Sequence, residues 1–247
     1  MGTPQSSAYR CVALVPPEGP GWVPPRRACG HTVPGNCGRS LEGCRLVAGV
    51  IWKTASMPKT QYFTAASLDG FIADSGNSLD WLFQAEAAAK AESASGDLFH
   101  EFYAQVGALA MGATTYEWVL RHEKLLDKPG SWPYSGRPCW IFSHRQLPAV
   151  PDADIRFASG DVRAVHQAML AAAGGRNIWL VGGGDLAGQF ADHGLLDEMI
   201  VSIAPATLGS GAPLLPRRLL PGELTLTKCA DDGTFVHLSY AVSRAGG

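Results

Sequence analysis

The feature that most constrains the fold of this chain is an alternation of strand-like and helix-like segments between residues 57 and 247. Short runs rich in β-branched, aromatic and other apolar residues predict strands at Thr60–Ala66, Phe71–Ala73, Ala108–Met111, Cys139–Ser143, Ile155–Ala158, Ile178–Val181, Met199–Ala204, Leu224–Cys229 and Thr234–Val242. Apolar residues spaced three or four apart predict helices at Asp97–Val106, Asp161–Ala173 and Asp185–His193. This alternation predicts a three-layer α/β fold, in which a mainly parallel, twisted sheet carries helices on both faces.

The C-terminal end of the chain follows a different pattern. Residues 223–243 contain two strand-like runs joined by Asp231-Asp232-Gly233, and an Asp-Gly step between such runs is a strong hairpin signal. The sheet is therefore predicted to end in an antiparallel hairpin at one edge.

Small, hydroxyl-bearing or cationic residues follow three of the predicted strands, within Met111–Thr115, Phe142–Arg145 and Val181–Gly184. Ligands of open α/β sheets bind outside the carboxyl ends of the strands, so these segments predict a rim that receives an anionic ligand. Each segment also has a simpler interpretation: a helix cap in the first, a solvent-exposed Arg145 in the second, and a turn in the third.

The third segment contains three consecutive glycines, Gly182–Gly184, between a strand and a helix. A backbone segment without side chains allows either a tight turn or the close approach of a phosphate-bearing ligand. The spacing is not G-x-G-x-x-G, the familiar dinucleotide fingerprint. On this segment alone both interpretations stay open.

The charge balance argues against some classes of partner. Residues 57–247 carry 14 Lys and Arg against 20 Asp and Glu, an acidic balance that disfavours nucleic-acid binding. No apolar run approaches the roughly 20 residues of a membrane-spanning helix. Cys139 and Cys229 lie in apolar runs, as expected of buried thiols in a reducing compartment, and a cytoplasmic location is predicted.

Residues 1–56 differ in composition from the remainder. They hold 7 of the 17 prolines and 8 of the 29 glycines, a bias typical of disordered segments. The four cysteines in this stretch lack the C-x-x-C pairs of structural zinc sites, so no metal site is predicted. We expect a functional domain at residues 57–247, preceded by a disordered or mis-assigned extension at residues 1–56.

Five segments together resemble the dihydrofolate-reductase-like superfamily. They read S-L-D-G-F-I-A…S-L-D-W-L, M-G-A-T-T-Y-E, I-F-S-H-R, L-V-G-G-G-D-L-A-G-Q-F and L-D-E-M-I-V-S-I-A-P-A-T-L-G-S-G-A-P-L-L. They occur in order within residues 58–243. The group that they resemble most is the reductase domain at the C-terminus of the bacterial riboflavin-biosynthesis enzyme RibD.

This resemblance implies an NADPH-binding reductase. It places Gly112, Thr114 and Thr115 at the phosphates of the cofactor, Ser143 and Arg145 near the adenosine 2′-phosphate, and Gly182, Gly183, Gly184, Asp185 and Leu186 near the pyrophosphate and nicotinamide. The loop Asp74–Trp81 would correspond to the mobile loop that closes over nicotinamide and substrate in dihydrofolate reductases.

The substrate side departs from both named enzymes. Riboflavin-pathway reductases tend to carry a Lys and a Glu where this chain has Phe63 and Val181, and the deaminase motif H-x-E…P-C-x-x-C is absent. Three carboxylates are candidates for supplying a proton: Asp69, Asp80 and Glu86. Glu86 lies near the position of the acidic residue of dihydrofolate reductases, with a solvent-facing carboxylate as the alternative.

The predicted function is NADPH-dependent hydride transfer to a C=N or C=O bond of a small planar heterocycle, as in 5-amino-6-(5-phosphoribosylamino)uracil reductases. The alternatives are dihydrofolate-reductase-like activity on a pterin, a nucleotide-binding protein that has lost turnover, and an α/β domain without a nucleotide site. The resemblance also implies a homodimer, for which the apolar Met199–Ala204 segment offers a seam.

Overall fold

The structure, a computed structural model, describes residues 57–88, 95–128 and 130–243. Within these ranges the chain forms, in order, β1 (Thr60–Ser67), β2 (Phe71–Ala73), α1 (Asp80–Ala88), α2 (Ser95–Ala104), β3 (Val106–Gly112), α3 (Ala113–His122), β4 (Cys139–Phe142), β5 (Ile155–Ala158), α4 (Val162–Ala173), β6 (Asn177–Gly182), α5 (Gly184–Asp192), β7 (Glu198–Ala204), β8 (Ala212–Pro213), β9 (Leu224–Asp231) and β10 (Val236–Val242). The predicted extension at residues 1–56 lies outside the described residues.

Eight of these strands form one sheet in the order β5-β4-β3-β6-β1-β7-β10-β9. The first six strands run parallel to one another, whereas β10 runs antiparallel to both β7 and β9. The predicted fold class, with its antiparallel hairpin at one edge, is confirmed. The short ribbon that β2 forms with β8 was not predicted, because two residues of β8 leave no detectable periodicity.

Helices cover both faces of the sheet, and each face has its own core layer. Leu82 of α1, Phe102 of α2 and Tyr116 of α3 belong to one layer, whereas Met169 of α4 and Phe190 of α5 belong to the other. The strands in the middle are buried on both sides, which is why they read as continuous apolar runs rather than alternating ones.

The helix boundaries follow local chemistry. At the start of α4 the Asp161 carboxylate accepts a hydrogen bond from the Arg163 amide at 2.8 Å, and the helix ends at Gly174, which has a φ of 61°. At the start of α1 the Ser78 hydroxyl accepts a hydrogen bond from the Asp80 amide at 3.0 Å. These contacts satisfy backbone groups that a helix end leaves exposed.

Three predictions about particular segments are wrong. Cys229, predicted to be a buried thiol like Cys139, is exposed, because β9 lies at the edge of the sheet. The helix predicted to reach Val106 ends at Ala104, and Val106 begins β3, because its fully buried side chain belongs to the sheet. The segment Met199–Ala204 cannot serve as a dimer seam, since β7 lies between β1 and β10 and most of its residues are buried within the subunit.

Trp179 joins the central strands to the helical layer above them. Its indole is fully buried, and Nε1 donates a hydrogen bond to the Phe63 carbonyl at 3.1 Å. Four rings surround it at centroid distances of 5.6 to 6.0 Å, those of Phe99, Phe102, Tyr103 and Tyr134. Such edge-on aromatic pairs add about 0.5–1.5 kcal/mol each beyond area burial, so this cluster anchors β6 beneath α2.

Candidate functional site

A cavity of about 410 Å³ lies at the carboxyl ends of β1, β3, β4 and β6. The starts of α3 and α5 and the β2–β8 ribbon complete its wall. Its volume falls within the range of small-molecule and cofactor pockets. The cavity therefore occupies the place at which open α/β sheets bind ligands.

Two helices begin at this cavity with glycine as the capping residue. α3 starts after Gly112 and α5 after Gly183, and neither glycine has a side chain that could bond to the first-turn amides. A β-carbon at Gly112 would lie 3.9 Å from the Gly183 amide nitrogen, so the two helix starts are adjacent. Helix N-termini carry free N–H groups and a partial positive charge, and this pair can therefore hold an anion.

The topology of the sheet explains why the two helix starts meet. β3 and β6 are neighbouring parallel strands, and Met111 pairs with Gly182 at their carboxyl ends. The chain leaves β3 through α3 toward β4, but leaves β6 through α5 toward β7, in the opposite direction along the sheet. Such a reversal of strand order opens a crevice between the two strands.

Most residues predicted to bind the cofactor lie together in this cavity. Nine of the ten line it, namely Gly112, Thr114, Thr115, Ser143, Gly182, Gly183, Gly184, Asp185 and Leu186. The Gly182–Gly183 peptide bond is cis. A β-carbon at Gly182 would lie 3.0 Å from Thr115 Oγ1, so the hydroxyl of α3 reaches the glycine segment of β6.

Arg145 is the tenth residue, and it does not line the cavity. Its Nη1 and Nη2 atoms donate to the two carboxylate oxygens of Glu117 at 2.9 and 3.0 Å. The Arg145 side chain is 58% exposed, so solvent screens this ion pair and it adds little to stability. The two preceding residues, Ser143 and His144, do line the cavity, so Arg145 directly follows the cavity edge along the chain.

The carboxylate of Asp69, one of the three predicted candidates for a proton donor, is engaged in a network of hydrogen bonds between two loops. Its carboxylate accepts hydrogen bonds from the Ser67 hydroxyl at 2.6 Å and from the amides of Leu208 and Gly209 at 3.0 and 2.7 Å. These contacts, the Ser67 hydroxyl foremost, hold the pKa of Asp69 below its ordinary value. Asp69 does not line the cavity; it ties the turn after β1 to the loop after β7.

The other two predicted carboxylates lie on α1 and differ in burial. Asp80 is the exposed first residue of the helix. Glu86 is buried, with 7% of its surface exposed, so the solvent-facing alternative is wrong. Neither carboxylate lines the cavity, but Glu86 lies one helical turn after Leu82, which does.

One side of the cavity is apolar. Ala65, Leu79, Leu82, Trp118 and Val181 line it and belong to, or pack against, the core layer beneath α1 and α3. Leu82 and Trp118 are not among the residues that the sequence predicts for the site. The signal for Trp118 was present, because it lies one helical turn after Thr114 and Thr115 and so shares their face of α3.

Fold and site together define a class: an α/β domain with a ligand crevice and paired helix N-termini at the point where the strand order reverses. Residues 136–238 match the family model of the RibD C-terminal domain. The chain is 33% identical over 182 residues to YwjB of Bacillus subtilis (strain 168), an uncharacterized protein, covering 74% of this chain and 97% of YwjB. The chain belongs to the family of the RibD C-terminal domain, within the dihydrofolate-reductase-like superfamily.

Solved structures agree with this assignment. A candidate riboflavin biosynthesis protein from Shewanella sp. PV-4 superposes with a TM-score of 0.60 and 26% identity, over 75% of this chain and 99% of that one. A diaminohydroxyphosphoribosylaminopyrimidine deaminase/5-amino-6-(5-phosphoribosylamino)uracil reductase from Thermotoga maritima has a TM-score of 0.53 and 15% identity, over 75% of this chain and 57% of that one. At that identity, the second likeness concerns the fold alone.

Membrane spans and metal sites concern only the part of the chain that the structure describes. None of the helices there has the length and apolar character that a membrane crossing requires. The same residues contain no group of three or more His, Cys, Asp or Glu side chains arranged to hold a metal ion.

The Asp69→Asn substitution is expected to lower the melting temperature at neutral pH, because an amide is a weaker acceptor for Ser67, Leu208 and Gly209. A pKa depressed by folding stabilises the fold above the unfolded-state value, and this stabilisation is lost as the pH falls through the folded-state value. The difference in melting temperature should therefore narrow in acid. Thermal unfolding from pH 7 to pH 3 measures it, with the exposed Asp127→Asn as control; a difference independent of pH would contradict the assignment.

Proposed function

We propose that this protein is an NADPH-dependent reductase that transfers a hydride to a C=N or C=O bond of a small planar heterocycle, the reaction type of 5-amino-6-(5-phosphoribosylamino)uracil reductases. The observation that carries the proposal is the pair of adjacent helix starts at Gly112 and Gly183. Two neighbouring sets of N–H donors fit the two phosphates of a dinucleotide. Membership of a reductase-domain family supports the chemistry.

The remaining lining residues fit the other parts of such a cofactor. Ser143 and His144 after β4, with Ser159 and Gly160 after β5, line the cavity on the side where the adenosine would lie. The apolar side would receive the nicotinamide and the substrate. When bound, the cofactor supplies the hydride, and the chain holds the two rings together and keeps water away from them.

The preference for NADPH over NADH is proposed to come from Arg145. Its guanidinium offers a planar fork that matches phosphate oxygens, and it follows the cavity-lining Ser143 and His144 directly. In the structure Glu117 occupies that fork. A 2′-phosphate would compete with the Glu117 carboxylate for Arg145, so both residues set the preference.

Reduction of C=N or C=O also consumes a proton. Glu86 is the proposed source, acting through water, because among the three predicted carboxylates it alone is buried, one helical turn after the cavity-lining Leu82. Asp69 is committed to the loop after β7, and Asp80 faces solvent.

A second candidate function is nucleotide binding without turnover. The observation that favours it is that Phe63 and Val181, which replace the Lys and Glu of riboflavin-pathway reductases, are both apolar. Phe63 is 2% exposed, and its ring packs edge-on against Phe102 at 4.6 Å, while Val181 lines the apolar side of the cavity. NADPH binding without oxidation across pterins, dihydrofolate and ribosylaminopyrimidines would support this function.

We also propose a cytoplasmic homodimer. β9 is an edge strand whose residues 225–229 are all exposed, and an uncovered edge is a template for pairing with a second chain. Cys139 and Cys229 are both free thiols, which fits a reducing compartment. Sedimentation velocity of the purified protein measures the mass.

The Gly112→Ala substitution tests the cofactor site. A methyl group there would meet nothing closer than 3.9 Å within the protein, so the fold should be retained, but the methyl would stand between the two helix starts. We expect the Kd for NADPH, measured by nicotinamide fluorescence, to rise at least about tenfold, roughly 1.4 kcal/mol. The control is Thr225→Ala, a change of similar size on the exposed edge strand β9, which does not line the cavity.

Circular dichroism of both variants separates loss of binding from loss of fold. If Gly112→Ala binds NADPH as tightly as the unmodified protein, the two helix starts do not hold the pyrophosphate and the proposal loses its basis.

Arg145→Ala is expected to raise the Kd for NADPH about tenfold while leaving the Kd for NADH within about twofold, because one charge-assisted phosphate contact is lost. Glu117→Gln removes the competing carboxylate and should have the opposite effect: it should lower the ratio of the Kd for NADPH to the Kd for NADH. Isothermal titration with both nucleotides gives the ratio for each variant. Equal losses for NADPH and NADH in Arg145→Ala would rule out contact with the 2′-phosphate.

Glu86→Gln is expected to lower kcat by about 10²–10⁴-fold, the usual contribution of a general acid, with the Kd for NADPH unchanged. Asp80→Asn, at the exposed start of the same helix, is the matched control and should retain its kcat. Steady-state kinetics with a reducible heterocycle measures both. Full activity of Glu86→Gln would show that the proton comes directly from solvent.

A further inference from the structure

We infer that the apolar side of the cavity takes an uncharged planar ring without a phosphate, such as a pterin or a pyrimidine base, rather than a ribosyl phosphate. The inference deepens the proposed function and rests on it, because the ring would lie beside the nicotinamide in the same cavity. It concerns the part of the wall formed by Ala65, Leu79, Leu82, Trp118 and Val181.

Charge is the first argument. Among the described residues that line the cavity there is no Lys or Arg, and Asp185 is the carboxylate among them. A phosphate desolvated against Leu82 and Val181 would need a cation or several N–H donors to offset its lost hydration. The lining offers no Lys or Arg for this purpose, and its histidine, His144, follows β4 on the side proposed for the adenosine, away from this wall.

Backbone donors are the second possibility for a phosphate, and the structure shows them to be committed. At the start of α1, next to the apolar wall, the Asp80 amide bonds to Ser78 Oγ, and the amides of Leu82 and Phe83 bond to the Leu79 carbonyl at 2.9 and 3.2 Å. The Asp80 carboxylate in the same turn would repel an anion.

The other helix starts at the cavity are also unavailable to the substrate. The Asp161 carboxylate already occupies the start of α4. The starts of α3 and α5 hold the cofactor phosphates under the proposed function. A second phosphate therefore has no helix N-terminus left to bind.

The shape of the wall favours a flat ring. Trp118 lines the cavity, and on α3 its indole stacks on the His122 ring at a centroid distance of 4.4 Å and an interplanar angle of 14°. Phe83 extends the stack, 5.2 Å from His122. An indole held in this way offers aromatic surface at little cost in side-chain entropy. Thr64 and Asn77 supply polar groups at the wall that can orient a heterocycle.

The test uses two probes that share a ring, pterin and neopterin monophosphate, titrated into the full chain saturated with NADP⁺. Quenching of tryptophan fluorescence reports binding. The Trp118→Phe variant identifies the part of the signal that comes from this wall, and Trp140→Phe is its control, because Trp140 is buried in the other core layer. We expect pterin to bind at least tenfold more tightly than neopterin monophosphate, and Trp118→Phe but not Trp140→Phe to lose most of the quenching.

Val181→Glu, which adds a carboxylate to the wall, should weaken pterin binding relative to the unmodified chain. Because Val181 is buried, the comparison of the two probes on the unmodified chain decides the matter if this variant fails to fold. Equal or tighter binding of the phosphorylated probe overturns the inference, and so does the absence of binding by either probe while NADP⁺ still binds. Failure of NADP⁺ itself to bind would instead overturn the proposed function.

Discussion

The parallel pairing of β3 with β6 is the interaction on which the site depends. It sets Met111 opposite Gly182, and each strand then leads directly into a helix that begins at a glycine. The helices lie on opposite faces of the sheet, since Tyr116 of α3 and Phe190 of α5 belong to different core layers. Their starts meet because the strands end together. A slip of one residue in this register would turn the buried side chains of β6 to the wrong faces, so the two cores fix the geometry of the helix starts.

Close packing around two glycines allows the β2–β8 ribbon to close one side of the cavity. A β-carbon at Gly184 would collide with the carbonyls of Pro213 and Leu214, and one at Gly211 with the carbonyl of Ala73. The β2–β8 ribbon can therefore lie against the start of α5 only because these positions lack side chains. Arg217 reinforces this contact through ion pairs with Asp185 at 3.0 Å and Asp192 at 2.7 Å. Together with the Asp69 contacts, these interactions make the loop after β7 a fixed wall.

The sequence predicts well the sheet and the glycine and hydroxyl residues that gather at the cavity, because both follow from local pattern. Ile178–Val181 is apolar since β6 is buried on both faces. Gly112 ends β3 and Thr114 and Thr115 follow directly, so position along the chain gives their place at the carboxyl end of that strand. The apolar wall is different. Leu82 and Trp118 come from two helices that meet only in the folded chain, and an apolar residue on a helix predicts burial without saying whether it faces a core or a cavity. The pairing of Arg145 with Glu117 likewise could not be predicted from local sequence, because the two residues are 28 positions apart.

The two faces of the sheet divide the cavity into chemically different parts. Where strands end and helices begin, the lining is backbone and hydroxyl; beneath α1 and α3 it is the apolar edge of a core layer. Val181 lies at the boundary, the last apolar residue of β6 before Gly182, and it lines the cavity with only 5% of its surface exposed. A carboxylate at this position would be buried against Leu82 and would need a cationic partner to be tolerated. Phe63, one strand away, fills with an aromatic ring a place where a Lys would be buried. Both positions are apolar in this chain: Val181 lines the cavity, and Phe63 lies in the core layer beneath it. The glycines before α3 and α5, by contrast, leave both helix starts without a side-chain cap.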